Sequence, residues 1–270
     1  MHKTAIADDF LFRCAKARHM TLPDSYDSAF LKPSSHPRCR FDDDAWHWFL
    51  NAAAELEIPA GDEQREALEN LYSHLVGVNT KLNLTRLTSP FDYLKFHVLD
   101  SLTVLCDIED VSERGDVCAD LGSGGGYPGL PLMLWVPERR WCPVDSKTNN
   151  LLFLNQAFPL TSCVHDEAVR CRGREVRSVR PDLAGTCQVV VARAVGRGDK
   201  VLTDAAPLLR ANGFLILMKG PSYKDDERRA VERACEDLRC TPLLERVVTL
   251  EDGDPERTVL LVQKEETRRH

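Results

Sequence analysis

Asp120-Leu121-Gly122-Ser123-Gly124-Gly125-Gly126-Tyr127-Pro128-Gly129 lies where a short apolar run, residues 117–121, gives way to a helix-length segment. Glycines at such a junction let the backbone take positive φ and approach a ligand closely. The helix that follows offers its first amides to an anionic group. Asp145, nineteen residues after Gly126, closes the next apolar run, where a carboxylate can accept both hydroxyls of a ribose. Two cofactors suit this pattern. Gly124-x-Gly126-x-x-Gly129 matches the dinucleotide fingerprint, but there the glycines begin almost directly after the strand. The acid-first order Asp120-x-Gly122-x-Gly124-x-Gly126 favours S-adenosylmethionine instead, with Asp120, Gly122, Gly124 and Asp145 as candidate contacts. No Gly-Lys-Ser/Thr follows, so a phosphate loop is excluded.

C-terminal to this turn, apolar runs at 141–144, 162–165, 189–192 and 214–218 alternate with helix-length segments, which predicts a parallel sheet with crossover helices on both faces. Runs at 243–250 and 257–262 flank Glu251-Asp252-Gly253-Asp254-Pro255, a turn composition that predicts a closing antiparallel pair. The expected class is therefore α/β, a mostly parallel seven-stranded sheet over residues 111–265.

N-terminal to the turn the period is helical. Trp46, Phe49, Leu50, Ala53 and Leu56 recur at three- and four-residue steps until Ile58-Pro59-Ala60-Gly61. Leu68, Leu71, Tyr72, Leu75 and Val76 mark a second helix, and Ser89-Pro90 caps a third that runs to about Ile108. Residues 41–110 thus read as a helical cap with Trp46, Trp48 and Phe49 in its core. Residues 1–40, with three prolines and a net charge of +3, read as a poorly ordered extension.

Composition bounds the function. At 43% hydrophobic and 29% charged the chain is globular, and its net charge of −7 excludes wholesale coating of nucleic acid, so an RNA partner must be met locally. No apolar run approaches the ~20 residues of a membrane span. Asp8 and Asp9 interrupt any signal peptide, which predicts a cytoplasmic protein. Ten cysteines without a CxxC pair predict reduced packing residues and no metal site.

Six stretches in order carry a family resemblance: Asn79-Thr80-Lys81-Leu82-Asn83-Leu84-Thr85, His97-Val98-Leu99-Asp100-Ser101, Gly126-Tyr127-Pro128-Gly129-Leu130-Pro131-Leu132, Val144-Asp145-Ser146, Ala192-Arg193-Ala194 and Leu217-Met218-Lys219-Gly220. Over about residues 65–265 the chain resembles the RsmG/GidB family of bacterial 16S ribosomal RNA guanine-N7 methyltransferases. The resemblance implies a class I S-adenosylmethionine-dependent fold. It also implies guanine 527 of the 530 loop as target and 16S RNA or a small-subunit precursor as partner; a monomer is expected. It places Gly122 and Tyr127 at the donor, Ala168 and Val169 along its adenine, and Arg193 after the fourth strand. Two stretches depart from the family: Glu167-Ala168-Val169 stands where Arg-Ala-Glu or Arg-Val-Glu is usual, and Asn149-Asn150 replaces a basic pair.

Guanine N7 has no proton to lose, so this chemistry needs orientation and no catalytic base. Arg193 is the candidate for reading guanine O6, with an ion pair to Asp120 or Asp145 as the structural alternative. Lys219 is the candidate for an RNA phosphate. His97 and Asp100 share a helix face and are expected to tie cap to sheet through a side-chain hydrogen bond. Asn83-Leu84-Thr85 reads as a helix-ending turn. Arg170, Arg172, Arg174, Arg177 and Arg180 with Glu175 make a net +4 segment, either a solvated helix or a phosphate contact. Three rivals stand beside this reading: a nicotinamide oxidoreductase, a small-molecule methyltransferase, and a non-catalytic ribosome-assembly factor.

Overall fold

The computed structural model describes residues 28–266. The glycine turn leaves β1 (Val117–Leu121), which pairs in parallel with β2 (Arg140–Asp145) and β4 (Cys187–Arg193). Outside β2 lies β3 (Val169–Arg170), and outside β4 lies β5 (Leu209–Lys219), both parallel. The hairpin of β6 (Cys240–Val248) and β7 (Arg257–Lys264) adds antiparallel pairs, giving the order β3-β2-β1-β4-β5-β7-β6. This is the class I methyltransferase sheet that the sequence predicts.

Period-two alternation on β4 sets the two layers. Val189 and Val191 face the layer formed by α1 (Asp43–Glu55), α2 (Asp62–Leu82), α3 (residues 90–102), α4 (Leu105–Val111), α5 (Gly129–Trp135) and α6 (Thr148–Ala157). Val190 and Ala192 face the other layer, where α7 (Val176–Val179), α8 (Gly198–Ala205) and α9 (Asp225–Leu238) pack. The cap and one sheet face share a single core, from Phe49, Leu75 and Tyr93 to Cys118 and Ile216. Trp46 and Phe49 are buried as expected, whereas Trp48 lies at the surface edge against Phe91, 4.6 Å between ring centres.

Helix ends follow their capping residues. Asp42 accepts the Ala45 amide at 2.7 Å, and Ser89 accepts that of Asp92 at 3.1 Å. The Asn83 turn ends α2 in the left-handed region, φ 52°, while the Asn79 side chain receives the Leu84 and Thr85 amides.

Three expectations are corrected. The third strand is not at 162–165: there Trp141 and His165 make one bridge, and pairing resumes only at Val144 with Val169. In between, the Asp166 amide still donates to the Trp141 carbonyl at 2.8 Å, but the Ala168 amide donates to Asn155 Oδ1, so a side chain takes a bond the ladder would need. The third helix is not one α-helix to residue 108. Its middle, Tyr93–Leu99, is a π-helix, and the chain breaks at Thr103 before α4. Of the extension expected to be poorly ordered, residues 1–27 lie outside the described residues. From residue 28 the chain is laid on α2: Leu31 is buried, Ser73 Oγ accepts the Cys39 amide, and the His36 ring sits where a side chain at Gly77 would be.

Among the described residues all nine cysteines are free thiols, seven of them buried. No described helix is long and apolar enough to cross a membrane.

Candidate functional site

Gly122, Gly124 and Gly126 all adopt positive φ, and the turn they form is closed by two aspartates. Asp120 lies fully buried beneath it, its Oδ2 accepting the Gly129 amide at the start of α5. A Cβ at Gly129 would fall 2.5 Å from that oxygen, so only glycine permits the contact. Burial pushes the Asp120 carboxyl up to about 7, opposed by the Gly129 amide and the charge of Arg193. Its Oδ1 is buried without a protein partner. A buried acceptor of this kind is completed by a cationic donor such as an amino-acid ammonium.

Asp145, at the end of β2, receives the Lys147 amide at 2.7 Å on Oδ1, and the Gly124 amide and Asn150 side chain at 2.9 Å on Oδ2. It ties the glycine turn to the neighbouring strand end, and a ribose hydroxyl on Oδ2 would replace Asn150. Gly122 lies under Val195, whose Cγ2 would be 2.6 Å from a Cβ at that position. The register sets Val169 and Arg170 beside Val144 and Asp145. Val169 is buried, and Ala168 packs next to α6 through Asn155. The structure thus brings Asp120, Gly122, Gly124, Asp145, Ala168 and Val169 together at the ends of β1, β2 and β3, and carboxylate acceptors of this kind fit the ammonium and ribose of a methionine-linked adenosine.

On the cap side, Tyr127 stacks on His97, ring centres 4.3 Å apart and planes 7° apart, and the Arg193 guanidinium lies 5.6 Å from the Tyr127 ring centre. His97 Nε2 bonds Thr85 Oγ1 at 3.0 Å. Burial, with Arg193 nearby, lowers the imidazole to about 3, so it is neutral near pH 7 and serves as an aromatic tile. Burial likewise raises the Tyr127 phenol well above its ordinary range.

Arg193 does form an ion pair, but with neither Asp120 nor Asp145. Its Nη1 donates to Asp100 Oδ2 at 2.7 Å and to the Phe96 carbonyl at 3.0 Å. The other Asp100 oxygen receives Arg257 Nε at 2.9 Å. The expected side-chain tie between cap and sheet is made by Asp100, to Arg193 on β4 and Arg257 on β7, while His97 turns to Thr85 and Tyr127. Arg257 carried no signal in the sequence beyond following the hairpin turn, because its partner stands 157 residues away.

Lys219 is buried. Its ammonium pairs with Glu227 at 2.7 Å and donates to the Gly196 carbonyl, so a phosphate would have to displace a carboxylate. The arginine segment is dispersed: Arg174 meets Asp204 at 3.7 Å, Arg180 meets Asp182 at 2.7 Å, and Arg170 approaches Thr148 Oγ1 at 3.3 Å. Only Arg170 stays beside Asp145 at the strand ends. Among the described residues no cluster of histidine, cysteine and carboxylates could hold a metal ion.

A family model described as rRNA small subunit methyltransferase G matches residues 64–251. The chain is 30% identical over 216 residues to the Ribosomal RNA small subunit methyltransferase G of Lactobacillus acidophilus, covering 80% of this chain and 89% of that protein. To the protein of the same name from Bacillus velezensis it is 32% identical over 223 residues, with 80% and 89% covered. Among solved structures, M. jannaschii TYW2 in complex with AdoMet overlaps 62% of this chain and 77% of its own, at 14% identity and a TM-score of 0.46.

Proposed function

The chain belongs to the rRNA small subunit methyltransferase G family, and from that premise we propose that it transfers the methyl group of S-adenosylmethionine to N7 of a guanine in the 530 loop of 16S ribosomal RNA. Methyl transfer to ribosomal RNA is the activity of the family. Membership removes the three rivals, since neither an oxidoreductase, a small-molecule methyltransferase nor a non-catalytic assembly factor is a ribosomal RNA methyltransferase.

The choice of N7 is supported by one observation: among the described residues, the acids and bases at these strand ends are held by other groups, and Asp120, which keeps one oxygen without a partner, is assigned to the donor's ammonium. His97 is held neutral against Thr85, Asp120 is buried under the glycine turn, Asp145 carries three hydrogen bonds, and Asp100 lies between two arginines. Exocyclic amines and ribose hydroxyls must lose a proton on methylation, whereas N7 attacks with a lone pair it already has.

Bound S-adenosylmethionine would supply an electrophilic sulfonium methyl, to which N7 would bond in line with its lone pair while the carbon–sulfur bond breaks and S-adenosylhomocysteine leaves as a neutral thioether. The chain's own residues orient and shield. Asp120 Oδ1 would accept the donor's ammonium, and Asp145 its ribose hydroxyls. The stacked Tyr127 and His97 give a rigid wall that keeps water from the reacting centre. Asp100 and Phe96 take the Nη1 hydrogens of Arg193, leaving Nη2 and Nε for guanine O6. Positioning of this kind supplies several kcal/mol of barrier lowering.

Mapping 7-methylguanosine in 16S RNA from cells with and without this protein tests the reading. Loss of the mark in the 530 loop on deletion, and its return on complementation, is the expected result. A mark that persists unchanged, or one lost from another base, overturns it.

A further inference from the structure

After β4 the chain makes an abrupt turn. Ala194 and Gly196 both have positive φ, 57° and 122°, and residues 194–197 are exposed. A non-glycine residue keeps such a conformation only where its surroundings hold it there. Here the hold is a buried charge pair. Lys219, ending β5, donates to the Gly196 carbonyl, while Glu227, on α9, accepts the Gly198 amide at 2.5 Å and pairs with Lys219 at 2.7 Å. Both side chains are less than a tenth exposed. Gly198 allows the close approach, since a Cβ there would fall 2.7 Å from Val231 on α9. An apolar pair could fill the same volume, but it could bond neither the carbonyl nor the amide of this loop.

The loop in turn carries Val195. Its isopropyl group, 38% exposed, covers Gly122, with both methyl carbons within 2.8 Å of where a Cβ would stand. Any ligand lying across the glycine turn meets this side chain.

We propose that Glu227 is a positioning residue of the methyl-transfer site: with Lys219 it pins the loop after β4, so that Val195 forms a wall of the donor pocket above Gly122. This rests on the S-adenosylmethionine reading of the glycine turn and is independent of which base is methylated.

Calorimetric titration with S-adenosylhomocysteine, without RNA and beside thermal unfolding, tests it. Glu227→Gln, which keeps an acceptor for the Gly198 amide but leaves the buried Lys219 ammonium without its counter-charge, is expected to weaken binding about tenfold, the scale of one weakened charge-assisted hydrogen bond. Val195→Ala, at an exposed position that the fold does not need, is expected to weaken it about threefold with unchanged Tm. The exchanged pair Lys219→Glu with Glu227→Lys restores opposite charges but puts an ammonium where the Gly198 amide needs an acceptor. It also turns a carboxylate towards the Gly196 carbonyl, so opposite charges return without either backbone bond and its affinity is expected to stay low. Binding of the wild-type strength in Glu227→Gln or Val195→Ala overturns the proposal, as does recovery of affinity in the exchanged pair. Wild-type protein that binds no S-adenosylhomocysteine overturns the donor reading and this inference with it. A missing 7-methylguanosine mark with donor binding intact overturns only the choice of base.

Discussion

The two halves of the candidate site are built differently. On the β1–β2 side the site is backbone: ten consecutive residues with three glycines at positive φ, and two aspartates whose bonds run to amides two, nine and 21 positions away. On the β4–β5–β7 side it is charge: Arg193, Asp100 and Arg257 join three segments, and Lys219 with Glu227 pins a loop. A backbone cradle is a property of one short stretch. A charge network exists only when distant segments have been folded together, and it fails when any member is removed.

The largest effect should come from the network. Asp100→Ala leaves Arg193 and Arg257 facing each other half-buried, and is expected to cost about 3–5 kcal/mol of unfolding free energy in urea. A loss under about 1 kcal/mol would mean that the arginines find water instead and that the two sides are less different than they look.

On the backbone side, Asp120 makes the contrast pH-dependent. Its folded-state carboxyl, up at about 7, lies above its unfolded value, so the folded protein binds more protons between those two pH values. Without a donor, stability should therefore fall as pH rises across that window, by at most about 1.4 kcal/mol per unit. S-adenosylhomocysteine affinity should run the other way and strengthen up to about pH 7, as the carboxylate becomes available to the ammonium. Asp120→Asn should flatten both profiles, and a sloping affinity profile in that variant would assign the dependence to another group.

Asp145→Ala is expected to weaken S-adenosylhomocysteine binding by about 1–3 kcal/mol, the value of charge-assisted hydrogen bonds. Unchanged affinity would leave Asp145 with the purely local task of closing the turn. The smallest effect belongs to Arg170, the one arginine of its segment beside Asp145. Arg170→Ala should lower the dependence of RNA binding on log salt by about one unit without altering the methylated base. A changed target base would mean that this side reads sequence as well as holding the donor.

Much of the fold was legible in the chain itself. Alternating apolar runs announced the strands, and Gly122-x-Gly124-x-Gly126 after Asp120 announced the candidate site, because each signal is a spacing within a few residues. The misplaced third strand shows the limit: the run at 162–165 is apolar enough, but the Ala168 amide finds the Asn155 side chain on α6, which no local pattern reveals. The π-helical middle of α3 was equally hidden. It is a rare helix type, and Tyr93, His97 and Asp100 along it meet partners elsewhere in the chain.

What the amino-acid order determined alone was the alternation of elements, the glycine turn with its two acids, and the motifs that mark the family, all consequences of steric and hydrogen-bonding rules acting over short stretches. What only the tertiary structure decided was which charges meet. Arg193 went to Asp100 and Arg257, and Lys219 went inward to Glu227, away from any phosphate. Ion pairing depends on distance through space, and sequence separations of 93 and 157 residues carry no information about that distance until the sheet has formed.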